Sequence, residues 1–547
     1  MANETFDVVV IGGGVTGTGT ALDAVTRGLS VALVEQRDYA SGTSSRSSKL
    51  FHGGLRYLEQ FKFGLVREAL AERNLMLNHL CPHLARPVSF VYPLKHRVWE
   101  RPYVGAGVLL YDIMASRADS PLPRHEHLSQ SSLLELAPAI DPDTVVGAIR
   151  YWDARIDDAR HTMMLARTAA SYGAALASST RVQDLVEDNG QVTGVKVIDL
   201  ESGHSLTVRA RRVINATGVW TDDIEEMASL EGLNVQASKG IHLVVPRDRI
   251  RSDTGMILRT EGSVLFVIPW DGHWIIGTTD TPWNLRRDHP AASRTDIEYL
   301  LKWANTVLTP PLAADDIVGV YAGLRPLLVG ETDDTSKLSR EHAVLESENG
   351  LISVAGGKYT TYRVMARDAV DIAAAGLGPD VPESRTDEIP IVGAADFERL
   401  RHEPPPGTIA EDDYQRLLGQ YGSLVTELAA LIEDHNDLST PLVDDAPYLK
   451  VEVIYAASHE GALHLDDVLT RRTRVSIETR HRGTRAATET ARLMGTVLGW
   501  DQATLDREIE HYLARVDAER DSQRQPDDQT ADAARMGAPD VRTPPIP

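Results

Sequence analysis

The first 35 residues contain a strand, a glycine-rich turn, a helix and a second strand. Residues 6–11 form an apolar run, Gly12, Gly14 and Gly17 follow it, and Glu35 closes the next apolar run. In this spacing Gly12 permits a tight turn, Gly14 lets a pyrophosphate approach the backbone, and Gly17 lets the helix lie close to the strands. The diphosphate then lies at the positive helix N-terminus, and Glu35 can accept hydrogen bonds from a ribose 2′-hydroxyl. The pattern predicts a βαβ unit that binds FAD or NAD.

Composition favours a large enzyme and argues against several other classes. A chain of 547 residues is long enough for two or three domains. Its formal charge of −23 leaves no excess of Lys and Arg with which to bind nucleic acid. The single cysteine, Cys81, excludes an intrachain disulfide and fits a reducing cytosol. No apolar run reaches the roughly 20 residues that cross a bilayer, so we expect any membrane contact to be peripheral.

Four segments differ in their pattern. Residues 1–385 alternate between strands and helices, which predicts a dinucleotide-binding domain interleaved with a substrate domain. The Pro-rich residues 386–408 are typical of a linker. Helical periodicity dominates residues 409–520, which predicts a smaller helical C-terminal domain, and the polar residues 521–547 predict a disordered tail.

Two long motifs resemble the signature patterns of the FAD-dependent glycerol-3-phosphate dehydrogenases. They are residues 11–28, IGGGVTGTGTALDAVTRG, and residues 356–366, GGKYTTYRVMA. Residues 44–57, SSRSSKLFHGGLRY, and residues 321–327, YAGLRPL, also resemble that family, and the helical segment with RRTR at 471–474 is similar to its C-terminal cap. The resemblance implies an α/β fold. It would combine a Rossmann-like FAD domain of the glutathione-reductase or amino-acid-oxidase type, a mixed-sheet substrate domain and a helical C-terminal domain.

The resemblance implies that FAD is the cofactor and indicates which residues hold it. They are Gly12, Gly14 and Gly17 at the pyrophosphate, Glu35 at the ribose, Ser45 and Ser47 near the diphosphate and flavin, Ala216 and Gly218 near the adenine, and Gly357, Lys358 and Thr360 by the flavin ring. A helix N-terminus at the last position stabilises the negative charge of reduced flavin. A phosphate loop of nucleotide hydrolases does not fit there, because Ile352 replaces its first glycine and Tyr359 follows the lysine.

The implied substrate is sn-glycerol 3-phosphate, whose phosphate requires fixed cations in an otherwise acidic chain. The candidates are Arg56, Arg325, Arg340 and Lys358. The planar fork of arginine suits bidentate contact with phosphate. Tyr57 follows Arg56 in the same motif and is expected to contact the substrate as well.

Oxidation at carbon 2 also requires a base for the hydroxyl proton, and a neutral imidazole suits that task. His52 and His242 are the candidates. We favour His52, because it lies in the same loop as Arg56 and Tyr57, while His242 would orient the phosphate or the flavin. His79 and His83 have metal-like spacing, but Pro82 lies between them, so no metal site is predicted.

The electron acceptor separates two branches of the family, dehydrogenases that reduce a membrane quinone and oxidases that reduce oxygen. Residues 95–103, KHRVWERPY, precede an apolar run over 104–114. This pattern suits contact with the cytoplasmic face of a membrane, or a helix that packs on its own domain. We expect a cytoplasmic, peripherally membrane-bound enzyme that uses quinone. The oxidase, an amine or amino-acid oxidase of the same fold, and a flavin-binding protein without turnover are alternatives. A homodimer is compatible with this assignment.

Overall fold

The computed structural model describes residue 1 and residues 4–96, 98–117, 119–229, 232–261, 263–329, 341–407, 409–538 and 540–542. The strands in this part of the chain are β1 (Thr5–Ile11), β2 (Val31–Val34), β3 (Leu50–Phe51), β4 (Arg86–Leu94), β5 (Glu126–Ser129), β6 (Gly147–Arg155), β7 (Ala175–Ala177), β8 (Thr180–Asp188), β9 (Gln191–Asp199), β10 (Ser205–Asn215), β11 (Val235–Pro246), β12 (Gly255–Arg259), β13 (Val264–Trp270), β14 (His273–Gly277), β15 (Thr281–Pro282), β16 (Gly319–Leu328), β17 (His342–Glu346) and β18 (Leu351–Gly356).

The helices are α1 (Val15–Thr26), α2 (Arg56–Glu59), α3 (Phe63–Leu75), α4 (Glu100–Ser116), α5 (Gln130–Leu136), α6 (Asp158–Ser171), α7 (Thr221–Met227), α8 (Arg294–Ala304), α9 (Tyr362–Leu377), α10 (Phe397–Leu400), α11 (Glu411–Tyr421), α12 (Val425–Asp434), α13 (Lys450–His459), α14 (Leu465–Asp467), α15 (Val475–Glu478), α16 (Ala487–Leu498), α17 (Gln502–Arg524) and α18 (Asp528–Arg535). The predicted βαβ unit is therefore formed by β1, α1 and β2.

The first sheet is the dinucleotide-binding sheet, with strand order β17-β18-β10-β1-β2-β7 and the β8–β9 hairpin attached to β10. Strands β18, β10, β1, β2 and β7 are parallel. Successive residues of β1 enter different cores, because side chains alternate along a strand. Val8 packs with residues of α1, α6 and α9, while Val9 packs with the β8–β9 hairpin. Both faces are covered, as a parallel sheet requires.

The second sheet carries two of the predicted substrate residues, His242 on β11 and Arg325 on β16. Its order is β15-β11-β14-β13-β12-β4-β6-β3, with β16 paired to β11 and β5 to β6. The pairing of β11 with β16 places His242 opposite Tyr321 and Ser238 opposite Arg325. One face packs against α8 and the other against α3 and α4. The predicted α/β fold with a mixed-sheet domain is confirmed.

The C-terminal region is helical and continues to the end of the described chain. Helix α10 and the buried residues Ile389 and Ile391 lie within the segment predicted to be a linker. The prediction of a disordered tail is wrong for the described residues after 521. Ala531 of α18 is buried in a cluster with Trp283, and Arg542 forms an ion pair with Asp467 at 2.7 Å. These anchors lie far away in the sequence, so the local composition of the tail did not predict them.

Candidate active site

One cavity of about 550 Å³ is lined by both sheets and brings most of the predicted residues together. Its wall contains the cofactor candidates Gly12, Gly14, Glu35, Ser47, Ala216, Gly218, Gly357 and Thr360 and the substrate candidates His52, Arg56, Tyr57, His242, Arg325 and Lys358. Gly17 lies behind the wall and Ser45 lines a different cavity. Arg340 lies outside the described residues. The cavity therefore runs from the glycine-rich turn to the substrate sheet.

The glycine-rich turn is built for close approach of backbone to backbone. Gly12 has φ +109°, and a Cβ atom there would lie 2.7 Å from the carbonyl oxygen of Ala216. A Cβ atom on Gly17 would collide with the carbonyl oxygen of Gly12. Gly14 lies at the N-terminus of α1 and faces the cavity. An anionic diphosphate can therefore approach the N-terminus of α1, where the helix dipole is positive.

Glu35 is held at the carboxyl end of β2 by two backbone donors. Its Oε2 accepts a hydrogen bond from the N–H of Gly13 at 2.7 Å, and its Oε1 accepts one from the N–H of Arg37 at 2.8 Å. Burial raises the pKa of Glu35, and these two N–H donors act in the opposite direction. The carboxylate retains further acceptor positions for a ribose hydroxyl. The residues present therefore fit the adenosine half of FAD.

Hydrogen bonds hold the loop that runs from the 3₁₀ turn at Thr43–Ser45 to β3, which contains the predicted cofactor residues Ser45 and Ser47. Ser44, which the sequence analysis missed, accepts a hydrogen bond from the N–H of Val15 at 2.9 Å. The backbone N–H and the hydroxyl of Ser47 both donate to Asp158, at 2.9 and 2.7 Å. Lys49 donates to the other oxygen of Asp158 at 2.6 Å. Asp158 therefore fixes the loop, and the sequence carried no local signal for it.

The C-terminal domain completes the support of this loop. Arg474 donates to Asp158 at 2.8 Å and also forms an ion pair with Asp157. Arg472 donates to both oxygens of Asp38, at 2.7 and 2.8 Å. Asp38 lies in the loop after β2, Asp157 and Asp158 lie at the start of α6, just after β6, and the two arginines belong to the 471–474 motif. The motif thus acts at the boundary between the domains.

The N-terminus of α9 forms the opposite end of the cavity. A 3₁₀ turn, Tyr359–Thr361, leads into α9. The hydroxyl of Thr360 accepts a hydrogen bond from the N–H of His52 at 3.2 Å, which ties the turn to the predicted catalytic loop. The ammonium of Lys358 lies 3.9 Å from the centre of the Tyr57 ring. This helix end offers N–H donors and positive potential to the redox-active ring of a flavin.

Two of the predicted substrate cations have defined positions. Arg325 donates from Nη2 to the Thr278 hydroxyl at 3.0 Å and from Nη1 to the Thr279 carbonyl at 3.1 Å. Arg56 donates from Nη1 to the Ser263 hydroxyl at 2.8 Å. Both guanidinium groups are therefore oriented by strands of the substrate sheet or by the loops between them. Thr278, Thr279 and Ser263 line the same cavity, and nothing in their local sequence indicated this role.

His242 is a buried neutral imidazole at the cavity wall. Its Nε2 lies 2.9 Å from the Ser48 hydroxyl, and its ring stacks on Tyr321 with 4.8 Å between centroids. Burial, followed by the charges of Arg325 and Lys49, holds the pKa of His242 well below 6.5. Its Nδ1 is buried and has no hydrogen-bond partner among the described residues. That atom is available to a bound ligand.

His52 is more accessible than His242 and occupies a different part of the wall. It is half-buried, and its ring lies 6.3 Å from that of Phe266, edge to face. The Thr360 hydroxyl contacts both the backbone N–H and the carbonyl of His52. The backbone that carries the His52 side chain is therefore fixed. The structure therefore brings both predicted histidines, two arginines and Lys358 to one cavity.

Comparison with known families accounts for both halves of the chain. The family model described as FAD dependent oxidoreductase matches residues 7–363. The model described as the C-terminal domain of alpha-glycerophosphate oxidase matches residues 384–505. The two matches follow the division between the sheet domains and the helical region.

Similar proteins agree over nearly the whole length. A protein of Mycobacterium tuberculosis named glycerol-3-phosphate dehydrogenase 2 is 54% identical, over 99% of this chain and 93% of its own. The mitochondrial glycerol-3-phosphate dehydrogenase of Bos taurus is 36% identical, over 92% of this chain and 72% of its own. The solved structure of the Bacillus halodurans glycerol-3-phosphate dehydrogenase complexed with FAD superposes with a TM-score of 0.77, at 28% identity, and covers 94% of this chain and 95% of that one.

Proposed function

This chain belongs to the FAD-dependent glycerol-3-phosphate dehydrogenase family, and we propose that it oxidises sn-glycerol 3-phosphate to dihydroxyacetone phosphate. The observation that supports this substrate most is the convergence of Arg56, Arg325 and Lys358 on one cavity, in a chain of net charge −23. Such a set of fixed cations is needed for a phosphate monoester and not for an amine or a neutral alcohol.

Each residue has a definite task in this proposal. The fork of Arg325 donates to two phosphate oxygens, and Arg56 and Lys358 add charge from the other side of the cavity. A ring nitrogen of His52 accepts the proton of the carbon-2 hydroxyl, while His242 positions the substrate through Nδ1. FAD, when bound, supplies the acceptor for the hydride that leaves carbon 2.

An anaerobic reduction experiment tests the substrate. We expect sn-glycerol 3-phosphate to bleach the visible flavin absorbance of the purified holoenzyme within the mixing time of a manual assay. Glycerol tests the need for the phosphate, and glycine tests the amine-oxidase alternative. A flavin spectrum that persists with sn-glycerol 3-phosphate but bleaches with glycine would contradict the proposal.

We further propose that the electrons pass to a membrane quinone from the cytoplasmic face of the membrane. Helix α4 packs inward through Val104, Val108 and Tyr111, yet its outward face is also apolar. The strongly exposed apolar side chains in this region form what we call the apolar surface: Phe61, Phe63, Val98, Trp99, Tyr103, Leu109 and Ile113. Among the described helices, none combines the length and the hydropathy of a bilayer-spanning segment. An interfacial helix would meet a bilayer through such a surface.

The apolar surface lies next to the candidate active site. The hydroxyl of Tyr103 lies 3.5 Å from Glu59, which ends the short helix that begins at Arg56. A quinone that enters from the bilayer would thus reach the cavity wall over a short distance. Arg101, a basic residue of the 95–103 segment, donates to the carbonyl of Leu128 at 2.8 Å.

The membrane proposal predicts the behaviour of a Trp99→Glu, Ile113→Glu variant. We expect its affinity for anionic liposomes in a flotation assay to fall by about 10-fold or more per replaced side chain, since each removes about 1.5 kcal/mol or more of apolar burial. Tyr172→Glu, at an exposed tyrosine after α6, is the control and should float like the parent. If the parent and both variants float equally, the apolar surface is not the membrane contact. Stoichiometric peroxide from an aerobic assay without quinone would favour the oxidase instead.

A further inference from the structure

A second, smaller cavity of about 80 Å³ lies where the cofactor loop meets the C-terminal helices. Its wall contains six arginines, namely Arg46, Arg471, Arg474, Arg482, Arg515 and Arg535. Ser45, predicted from the sequence to contact FAD, also faces this cavity. The volume suits a few water molecules or one small ion and is far below that of a nucleotide site.

Four of these arginines have too few carboxylates around them. Arg471 and Arg474 are neutralised by aspartates at the domain boundary. Of the other four, Arg482, Arg515 and Arg535 share two acidic groups of the cavity wall, Glu519 and Asp466. Arg482 and Arg535 both pair with Glu519, at 3.1 and 3.4 Å, and Arg515 pairs with Asp466, which Arg471 also contacts.

Arg46 differs from the others, because its guanidinium group has no acceptor among the residues that the structure describes. No hydrogen bond or ion pair of its guanidinium group is found within the described ranges, which end at residue 542. Burial, and then the charges of Arg515 and Arg535, lower the pKa of Arg46 to about 9. Burial also lowers the pKa values of Arg482 and Arg535. A bound anion would reverse all three effects, because it would compensate the buried charge.

We propose that this second cavity binds one tetrahedral oxyanion, inorganic phosphate or sulfate, between the arginine of the cofactor loop and those of the C-terminal helices. Arginine forks match the geometry of such an ion, and the volume of about 80 Å³ suits a small ion better than a phosphate monoester with its carbon chain. The ion would join three segments that are distant in sequence: the loop with Arg46, helix α17 with Arg515, and helix α18 with Arg535.

The proposed ion would contact the loop that carries the predicted cofactor residues Ser45 and Ser47. Arg46 lies between Ser45 and Ser47 and lines both cavities. An anion held by Arg46 and α18 therefore couples the docking of the C-terminal helices to the wall of the cofactor cavity. The site is distinct from the substrate cations, because Arg56, Arg325 and Lys358 line the first cavity alone.

Isothermal titration of the holoenzyme with inorganic phosphate tests the proposal, with chloride at equal ionic strength as the reference. We expect Arg535→Gln to weaken one phosphate-binding component by about 10- to 100-fold, which is the effect of losing one charged hydrogen-bond donor. Arg524→Gln is the matched control, because that arginine is exposed at the end of α17 and pairs with Asp521. It should bind phosphate like the parent. Phosphate bound at the substrate cations would give a component that Arg535→Gln leaves unchanged.

Three results are decisive. Loss of the component in Arg535→Gln and its retention in Arg524→Gln support the site. Identical titrations of the parent and both variants overturn it. If Arg535→Gln fails to retain flavin absorbance, Arg515→Gln replaces it, since Arg515 lies at a more exposed part of the wall. A component for dihydroxyacetone phosphate that disappears in the same variant would overturn the assignment to a free ion.

Discussion

An Arg325→Gln variant is expected to lose about 10²- to 10³-fold in kcat/KM for sn-glycerol 3-phosphate. The guanidinium group is fixed by Thr278 and Thr279, so it is already oriented before a ligand arrives. Glutamine cannot supply the charge or the second donor, and removal of one preorganised donor to an anion costs about 3–4 kcal/mol. The loss should appear in steady-state kinetics with a quinone analogue and in the rate of anaerobic flavin bleaching alike.

Two controls separate this role from a structural one. Arg211→Gln removes an exposed arginine on β10 that pairs with Asp7, and it should leave kcat/KM unchanged. The flavin content of Arg325→Gln should equal that of the parent, because the side chain lies at the cavity wall, while its thermal midpoint should fall slightly with the loss of the contacts to Thr278, Thr279 and Asp280. A variant with normal flavin content and undiminished kcat/KM would show that Arg325 does not bind the phosphate.

The cofactor half of the site was predictable because its signals are local. The tight turn at Gly12 and the close approach at Gly17 are imposed on the chain within a few residues, and the acid of Glu35 follows at a fixed distance along the next strand. Spacing alone carries this information. Arg325 and Lys358 also lie in continuous sequence motifs. They could therefore be predicted as site residues without knowledge of the side chains that surround them in the fold.

The supports of the site were not predictable from local spacing. Asp158 lies 111 residues from Ser47, and Arg474 lies 316 residues from Asp158, although all three form one hydrogen-bonded group. A single aspartate at a helix start is common on protein surfaces, so nothing in its neighbourhood distinguishes this one. The ordered tail was missed for the same reason. Its polar composition suggests disorder, but Arg542 is anchored by an aspartate 75 residues earlier.

Replacement of the proposed base, His52, is the second change with a large expected effect on catalysis. We expect His52→Gln to lower kcat by about 10²- to 10⁴-fold, as the loss of a general base does. His242→Gln should instead raise KM by about 10-fold and leave most of kcat, because it removes one contact of a positioning residue. Stopped-flow measurement of flavin bleaching under anaerobic conditions separates the two effects. His52→Gln should lower the limiting rate of bleaching, and His242→Gln should raise the substrate concentration that gives half of that rate.

The pH profile makes the same distinction without relying on magnitudes. A base must be unprotonated to act, so kcat/KM falls tenfold per pH unit below its pKa in the free enzyme. Burial, and then the charges of Arg325 and Lys49, hold the pKa of His242 well below 6.5, so its own titration would fall below the usual range of a histidine. An acid limb within the usual histidine range therefore does not arise from His242. It should persist in His242→Gln and vanish in His52→Gln, and the opposite pattern would transfer the role of base to His242.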